Sequence, residues 1–174
     1  MFKAFPKIPR IENEKYHFTE KIDGTNACII ILPYAEEDET QRVFIDNGMT
    51  IRCQSRTRLI TPEEDNFGFA RWVYENGTEL TSLGLGYHYG EWWGKGIQRG
   101  YNMEEKVFSL FLYEHELPTP LVRRVPKLDV NSIEEAKKFL LTNGSVAAPG
   151  WTKPEGAVMY CEQTKQHYKI IIDK

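Results

Sequence analysis

The apolar residues of this chain fall into short runs bounded by turn signals, a pattern that predicts many short strands and few helices. The longest run, residues 27–32, is almost entirely apolar and predicts a strand that is buried on both faces. Residues 43–45 and 50–54 flank Asp46-Asn47-Gly48, and Asn-Gly supplies the positive φ angles that a hairpin turn requires. We therefore expect a buried strand followed by a β-hairpin.

Two segments have the 3.6-residue period of a helix. In the first, Thr61-Pro62-Glu63-Glu64 has the form of a capping box, and apolar residues recur at helical spacing until Asn76-Gly77. Its aromatic residues predict a core-facing stripe in preference to a base-stacking surface. The second segment, residues 132–141, has Asn131 or Ser132 as its N-cap.

The second half of the chain predicts further strands. Residues 106–113 predict one strand, with Phe108 and Phe111 on opposite faces because side chains alternate along a strand. A proline-rich connection, residues 118–126, follows it. The last residues predict a terminal β-hairpin, with Glu155 at one mouth and Lys169 opposite it.

Composition narrows the class of protein. At 174 residues the chain is long enough for one domain with a substantial core. No run approaches the ~18 apolar residues of a membrane span, and residues 1–10 lack the apolar core of a signal peptide, so we expect no membrane attachment and a cytoplasmic location. The net charge of -3 creates no global field that would attract nucleic acid, so such a partner would need local basic patches. The odd count of 3 cysteines predicts reduced, buried thiols.

The most informative stretch is residues 19–26, Thr-Glu-Lys-Ile-Asp-Gly-Thr-Asn, in which Lys21 precedes a turn signal. We expect Lys21 at a tight bend, facing a pocket. A lysine has an unperturbed pKa of ~10.4 and becomes a good nucleophile only when burial or a neighbouring cation favours the neutral amine. Glu20 and Asp23 act in the opposite direction, so a reactive Lys21 needs basic groups from elsewhere in the chain. The alternative is an exposed lysine in a charged hairpin turn.

Several short sequences then follow in order, and together they resemble motifs I, Ia, III, IIIa, IV and V of the covalent nucleotidyltransferases. These are Lys21-Ile22-Asp23-Gly24, Arg56, Gly90-Glu91, residues 108–111, Glu155-Gly156 and Lys169. The resemblance is strongest to the RNA ligase branch, particularly the compact phage-type nick-sealing enzymes. Those enzymes share Glu-Lys-Ile-x-Gly-Thr-Asn in motif I and Gly-Glu followed by Gly-x-Gly-Ile-Gln in motif III. Several motifs in the right order are a stronger signal than any one of them.

The resemblance implies a fold and a reaction. The fold is a single α+β nucleotidyltransferase (adenylation) domain, residues 1–174, of antiparallel sheets flanked by helices, with the nucleotide in a central cleft. The reaction is ATP- and Mg²⁺-dependent RNA ligation, with Mn²⁺ as a possible replacement metal. Lys21 attacks the α-phosphorus of ATP to form lysyl-AMP, the AMP passes to a 5′-phosphate end, and a 3′-hydroxyl displaces it. The expected partner is nucleic acid with those ends, RNA being favoured, and the protein is expected to be a phage or other intracellular monomer.

The resemblance also implies a role for each candidate site residue. Lys21 is the catalytic nucleophile, Glu91 binds the ribose hydroxyls and Phe111 stacks on adenine. Glu155 helps to place a metal through water, and a cationic Lys169 beside Lys21 would favour the neutral amine. The remaining nucleotide- and phosphate-binding candidates are Glu20, Ile22, Asn26 and Arg56. A core-filling role is the plain alternative for Phe111.

Two departures from the family pattern affect the expected function. Related ligases often have Lys-x-Lys in motif V, but here Ile171 follows Lys169 at that spacing, so the second cation is absent or is supplied by Lys174. We also expect neither an oligonucleotide-binding domain nor a C-terminal helical domain. Substrate capture would then depend on a protein partner or on basic residues of this domain, namely Lys95, Arg99, Arg123, Arg124 and Lys127. The rival functions are a capping-type guanylyltransferase and a nucleotide- or nucleic-acid-binding module that does not seal strands.

Overall fold

The computed structural model describes residues 2–4, 8, 14–36, 38 and 42–172, and the structural statements below concern those residues. They form two compact units, one from Ile22–Val125 and the other from Met1–Lys21 together with Pro126–Lys174. Each unit contains one β-sheet. The expected α+β class with largely antiparallel sheets is confirmed.

The strands in the described part of the chain, in order, are β1 Tyr16–Lys21, β2 Thr25–Pro33, β3 Phe44–Asp46, β4 Met49–Gln54, β5 Leu59–Ile60, β6 Gly86–Gly94, β7 Lys106–Leu110, β8 Val122–Arg124, β9 Lys127–Leu128, β10 Gly156–Cys161 and β11 Gln166–Ile171. The α-helices are α1 Phe69–Glu75, α2 Gly77–Leu80 and α3 Ile133–Asn143. Short 3₁₀ turns cover Thr81–Leu83 and Gly100–Asn102. None of these helices is long and apolar enough to cross a membrane.

The larger unit is built on a seven-stranded sheet with the order β3-β4-β2-β6-β7-β8, in which β5 also pairs with β4. All pairs are antiparallel except β7 with β8. One face of this sheet packs on α1 and α2 through a core that includes Ile29, Trp92, Phe108 and Phe69. The long apolar strand at its centre is buried on both faces from Ala27 to Ile31, as its sequence predicted.

The smaller unit has a four-stranded antiparallel sheet with the order β11-β10-β1-β9. Its core forms between one face of this sheet and α3, and it includes Phe18, Ala157 and Ile170 from the strands with Ala136 and Leu140 from the helix. Strand β1 was not predicted as such, because only Tyr16 and Phe18 of its 6 residues are apolar. Pairing with β10 over six residues, from Tyr16 to Lys21, supplies the partner that the local sequence does not show.

Several local predictions are confirmed. Asn47 and Gly48 have φ angles of 53° and 74° and connect β3 to β4 as the hairpin turn. Helix α3 begins after Ser132, whose hydroxyl accepts a hydrogen bond from the backbone N–H of Glu135. The three cysteines are free and buried.

The predicted start of the first helix was wrong. The hydroxyl of Thr61 does accept the backbone N–H of Glu64, but no helix follows that turn, and α1 begins only at Phe69. The carboxylate of Asp65 accepts hydrogen bonds from the backbone N–H groups of Ala70 and Arg71, at 2.8 and 3.0 Å. Asp65 therefore satisfies the free donors of the first helical turn, which makes a later start favourable.

Two predictions in the second half of the chain also need correction. Strand β7 ends at Leu110, so Phe111 lies in the turn that follows and not within the strand. Residues 122–124, within the predicted proline-rich connection, form β8 and pair parallel with β7. The acidic run of residues 33–41 predicts a solvated loop, but Asp38 within it is buried and accepts a hydrogen bond from Arg52 at 2.6 Å. Residues 1–18 predict an extended arm, and this arm, like the acidic run, lies partly outside the described residues.

Candidate active site

The amine of Lys21 forms an ion pair with the carboxylate of Glu155. Nζ lies 3.0 Å from Oε2 and 3.1 Å from Oε1, so the contact is bidentate. The residues are 134 positions apart in sequence, and they meet because Lys21 ends β1 opposite Gly156, the first residue of β10. The Lys21 side chain retains 28% of its exposure, which leaves the amine accessible to a ligand. The predicted bend begins immediately after it, at residues 22–24.

The preceding residue, Glu20, is a buried anchor. Its side chain is 1% exposed. Its carboxylate accepts hydrogen bonds from the backbone N–H groups of Val146 and Ala147, at 2.6 and 3.0 Å, and from the hydroxyl of Ser145 at 2.7 Å. These contacts satisfy a charge that would otherwise be costly to bury. The carboxylate that the sequence assigned to nucleotide binding is thus already occupied by the segment after α3.

Lys169 does not lie opposite Glu155. The register of β10 and β11 pairs Lys169 with Val158, whereas the residue paired with Gly156 is Ile171. Lys169 shares a sheet face with Lys21, because paired residues on adjacent strands point to the same side. It is two strands away, roughly 10 Å across the sheet, so the charged group in direct contact with Lys21 is the carboxylate of Glu155 and not the expected cation.

In the larger unit, the turn after Lys21 is held by the glycine-rich segment that follows β6. The backbone N–H of Asp23 donates to the hydroxyl of Tyr101 at 2.6 Å. The carboxylate of Asp23 accepts from Nε of Arg99 at 2.9 Å. Tyr101 is buried, has a positive φ of 52°, and packs edge-on against Trp93. Residues 94–101 therefore act on the turn of motif I as a clamp, a role that their sequence did not indicate.

Gly24 is required by close packing and not by its backbone angles. It is not among the residues with positive φ. A Cβ atom at this position would lie 2.4 Å from the carbonyl oxygen of Trp92 and 2.6 Å from Cβ of Trp93. Its backbone N–H donates to Oε1 of Glu91 at 3.2 Å. The absence of a side chain thus lets the motif I turn approach β6, where it meets the motif III carboxylate.

Glu91 is a buried carboxylate inside β6, although its place before a glycine-rich turn predicts the end of a strand. It is 7% exposed and pairs with Asn26 on β2 and with Ser109 on β7. These three polar side chains lie in one row across the sheet, on the face opposite the core. Phe111 is 42% exposed, so the core-filling alternative for this residue is excluded.

The other predicted binding residues of this unit differ in exposure. Ile22 is buried at 4% exposure, whereas Arg56 is exposed in the bend after β4. The sequence also predicts a basic cluster of Arg52, Arg56 and Arg58, in which the two neighbours of Arg56 make structural contacts. Arg52 binds Asp38, and Arg58 donates to the backbone carbonyls of residues 64 and 65.

The residues proposed for substrate capture also divide into two groups. Arg99 is engaged with Asp23, and Arg124 donates to the carbonyl oxygen of His115 at 2.7 Å. Lys95, Arg123 and Lys127 are exposed. Lys174, the suggested second cation of motif V, lies outside the described residues.

Two observations concern where a metal ion or a ligand could bind. The described residues include no cluster of three or more His, Cys, Asp or Glu side chains that could hold a metal ion. Mg²⁺ retains waters and commonly takes only one or two carboxylates, and Glu155 is the residue to which the family resemblance assigns such a water-mediated contact. A surface pocket of about 530 Å³ lies between α1 and the end of β6, lined by residues such as Trp72 and Lys95. It contains none of the predicted catalytic or nucleotide-binding residues.

Two cysteines of the larger unit have shifted ionisation. Burial raises the pKa of the Cys28 thiol to about 11 and that of the Cys53 thiol well above its ordinary value. These thiols stay neutral near physiological pH, so they are poor nucleophiles.

The anchors of the site were the residues that sequence reasoning missed. Ser145 and its two successors contact Glu20 from more than 120 positions away, and Tyr101 contacts Asp23 from 78 positions away. The glycines around Tyr101 marked an unusual segment, but nothing local indicated its partner. No signal in the sequence pointed to Ser145.

Comparison with known proteins identifies the family of this chain. The RNA ligase family matches residues 14–171. The fold is that of a nucleotidyltransferase-type α+β domain, and the chain belongs to the RNA ligase family. No curated protein matches it with significant sequence similarity.

Solved structures of an RNA ligase from Naegleria gruberi have a similar fold. A variant with ATP and Mn superposes with a TM-score of 0.56 at 19% identity, covering 91% of this chain and 50% of that one. A variant with AMP and Mn gives 0.55 at 19% identity, covering 92% and 50%. Another variant with ATP and Mn gives 0.56 at 18% identity, covering 97% and 56%. The chain thus spans about half the length of the Naegleria ligases.

Proposed function

We propose that this protein is an ATP-dependent RNA ligase that acts through a covalent lysyl-AMP intermediate on Lys21. The observation that carries the proposal is the contact between Lys21 and Glu155, which joins the lysine of motif I to the carboxylate of motif IV at 3.0 Å. Membership of the RNA ligase family over residues 14–171 supports the same conclusion. The proposal takes the whole chain as one nucleotidyltransferase domain.

In the first step, Lys21, which is ion-paired with Glu155, gives a proton to solvent, and the lone pair of the resulting neutral amine attacks the α-phosphorus of ATP. A phosphorus–nitrogen bond forms, the bond from the α-phosphorus to the oxygen that bridges to the β-phosphate breaks, and pyrophosphate leaves with that electron pair. The attacking nitrogen then gives up a second proton to solvent. The contact with Glu155 orients Nζ before the attack, and a preset attack geometry is a large part of catalysis in phosphoryl transfer.

In the second step, an oxygen of an RNA 5′-phosphate attacks the same phosphorus, the phosphorus–nitrogen bond breaks, and the Lys21 nitrogen takes up a proton from solvent. In the third step, a 3′-hydroxyl attacks the 5′-phosphate and AMP leaves. Lys169 is exposed on the same sheet face as Lys21, which suits a cation that stabilises charge developing on phosphate oxygens.

We assign the metal to the Glu155 side of the site. Mg²⁺, or Mn²⁺ in its place, would neutralise phosphate charge when bound. The Naegleria ligases with ATP or AMP and Mn support the use of both an adenine nucleotide and a divalent metal. From the family resemblance we retain ribose binding for Glu91, adenine stacking for Phe111, and nucleotide or phosphate contacts for Ile22, Asn26 and Arg56. For Glu20 we replace a direct nucleotide contact by a positioning role.

The first experiment is a mass spectrum of the intact protein after incubation with ATP and Mg²⁺. We expect the mass to increase by one adenylate, and we expect Lys21→Ala to abolish the increase. Lys138→Ala, which removes an exposed lysine from α3, is the matched control and should adenylate like the wild type. A wild-type protein that gains no adenylate would refute the proposal, and a gain with GTP in place of ATP would indicate a capping-type enzyme instead.

The second experiment tests sealing. Adenylated protein is mixed with 5′-phosphorylated RNA as nicked duplexes, single strands and overhangs, alongside DNA and hybrid versions of each. Joined strands on an RNA substrate support the ligase assignment. If the adduct forms and no strand is joined in any of them, the protein is a non-sealing adenylyltransferase.

A further inference from the structure

The larger sheet carries an exposed aromatic strip on the face opposite α1. The strip consists of Tyr87 and Tyr89 on β6 and Phe111 immediately after β7, which are 55%, 53% and 42% exposed. Single exposed apolar side chains are common on protein surfaces and need no explanation. Three neighbouring exposed aromatic side chains form a patch, and such a patch indicates an interaction surface.

Strand register brings these rings together. Tyr87 and Tyr89 lie two positions apart and therefore point to the same face. Their ring centroids are 6.2 Å apart and their planes differ by only 18°. Phe111 continues the pairing of β7 with β6, because its backbone N–H donates to the carbonyl oxygen of Tyr89 at 3.0 Å. The backbone positions of Tyr89 and Phe111 are therefore neighbours, with Phe111 in the turn directly after β7.

The strip is bordered by polar and positively charged positions. Next to it along the strands is the row of Asn26, Glu91 and Ser109, and the register of β7 with β8 adds Arg123 to that row. Arg123 is exposed, whereas Glu91 is 7% exposed and accepts the Gly24 N–H. The exposed charged residue of this row is therefore Arg123, a cation.

This combination suits unpaired nucleotides. Nucleobases stack on exposed aromatic side chains, at ~1–3 kcal/mol per base, and a nearby cation holds the phosphate backbone. In a duplex the faces of internal bases are covered by their neighbours and are not available for such stacking. The near-parallel tyrosine rings offer flat surfaces, and their hydroxyl groups tolerate water, as expected of a surface that is empty between binding events.

We propose that Tyr87 and Tyr89 stack on unpaired bases of the RNA substrate and that Arg123 contacts a phosphate of the same strand. The inference rests on the proposed function for its substrate class, RNA, and extends it by predicting that the bound RNA includes a single-stranded segment. The strip includes Phe111 and borders the row that contains Glu91, and the proposed function assigns both of these residues to the nucleotide. This continuity favours a nucleic acid over a protein as the occupant.

The test measures Kd by fluorescence anisotropy for two labelled, 5′-phosphorylated RNAs, a single strand and a blunt, fully paired duplex. For Tyr87→Ala combined with Tyr89→Ala, we expect the Kd for the single strand to rise by roughly 10- to 100-fold. The Kd for the duplex should change by less than about twofold. Tyr87→Phe combined with Tyr89→Phe keeps the rings and should bind the single strand like the wild type. Tyr168→Ala, which removes a tyrosine that is 49% exposed on β11, is the matched control and should also bind like the wild type.

Each other result overturns the inference. An unchanged single-strand Kd in the double alanine variant would show that the strip serves another purpose, such as a protein contact. An equal loss for the duplex, or an equal loss with Tyr168→Ala, would show that base stacking is not the cause. Thermal unfolding of every variant identifies a loss due to misfolding, and in that case the phenylalanine variant and the single alanine variants decide the question.

The failure of this inference is distinguishable from failure of the proposed function, because adenylation of the wild-type protein is measured separately and without RNA. A protein that adenylates and binds single-stranded RNA independently of the strip retains the proposed function and refutes the strip. A protein that binds single strands through the strip and does not adenylate retains the strip and refutes the ligase assignment.

Discussion

Glu20 and Lys21 are consecutive residues of β1 whose side chains point to opposite faces of its sheet. Glu20 is held by Ser145, Val146 and Ala147, while Lys21 meets Glu155 on the other side. Because side chains alternate along a strand, anchoring the carboxylate of Glu20 restricts the direction in which the amine of Lys21 can project. The buried Glu20 thus helps to orient the partly exposed Lys21.

The Glu20 anchor leads to a prediction. Glu20→Ala leaves the backbone N–H groups of Val146 and Ala147 without their acceptor, so we expect a loss of about 1–3 kcal/mol in the free energy of unfolding, measured by urea denaturation. We also expect slower adenylation at a temperature where the variant remains folded. Glu20→Gln keeps an acceptor oxygen and should lose less of both. An alanine variant with wild-type stability and an unchanged rate would contradict the anchoring role.

The Lys21–Glu155 contact predicts how the adenylation rate changes when the charge of Glu155 is removed. For Glu155→Gln we expect the single-turnover adenylation rate to fall on the order of 100-fold, since both orientation of the amine and support of the metal are weakened. Glu162→Gln changes an exposed glutamate in the turn before β11 and is the control. A faster rate in Glu155→Gln would mean that the carboxylate only holds the amine in its protonated form, which would exclude a catalytic role.

A side chain added at Gly156, the first residue of β10, would clash with the backbone of β11. Its φ is +157°, and a Cβ atom there would lie 1.7 Å from the carbonyl oxygen of Ile170. We expect Gly156→Ala to destabilise the protein by about 1–3 kcal/mol or more, because β11 must move away. Gly150 has a φ of +96° with no atom within 4 Å of the added Cβ, so Gly150→Ala reports backbone strain alone. The thermal midpoint should fall further for Gly156→Ala, and equal midpoints would refute the steric argument.

The Asp23–Arg99 pair predicts energetic coupling between the motif I turn and the glycine-rich segment. In a double-mutant cycle with Asp23→Asn and Arg99→Gln, we expect a coupling energy of about 0.5–3 kcal/mol in unfolding free energy. The side chains are 27% and 23% exposed, so solvent screening is only partial. Additive effects of the two substitutions would show that the contact does not hold the turn.

The buried thiols predict a loss of stability at alkaline pH. Burial raises the pKa of Cys28 to about 11, whereas a thiol in the unfolded chain ionises at ~8.5. The unfolded state therefore loses its proton first, so this contribution to stability is fully present below pH ~8.5 and is lost as the pH rises through about 11.

The measurement is urea unfolding at neutral pH and at pH 10 in the presence of a reductant. Between these pH values Cys28→Ala should lose roughly 1–2 kcal/mol less unfolding free energy than the wild type. An identical alkaline loss in both proteins would contradict the assignment to Cys28.

Much of the local structure could be predicted from contiguous residues. The apolar run of β2, the Asn47-Gly48 turn and the Ser132 cap of α3 each depend on neighbours within a few positions, so their signals are present in the sequence itself. The first helix was placed too early because a capping box near Thr61 competes with the carboxylate of Asp65, and only the folded chain shows which of them caps a helix.

The order of the motifs was sufficient to identify the family and to select Lys21, Glu91 and Glu155. It did not determine which of these groups touch. The sequence suggested Lys169 as the neighbour of Lys21, and the register of β10 with β11 instead leaves Glu155 in that position. A register depends on the packing of whole strands, and no short segment encodes it.

By itself, then, the sequence determined the fold class, the family and the identity of the candidate nucleophile, because hydrophobic period, turn chemistry and motif order are properties of the linear chain. The tertiary structure alone decided that Glu20 is an anchor, that Gly24 is needed for close approach to β6, and that Tyr87 and Tyr89 form one surface with Phe111. These features arise from contacts across strands and loops that are distant in sequence, where geometry is set by pairing and packing.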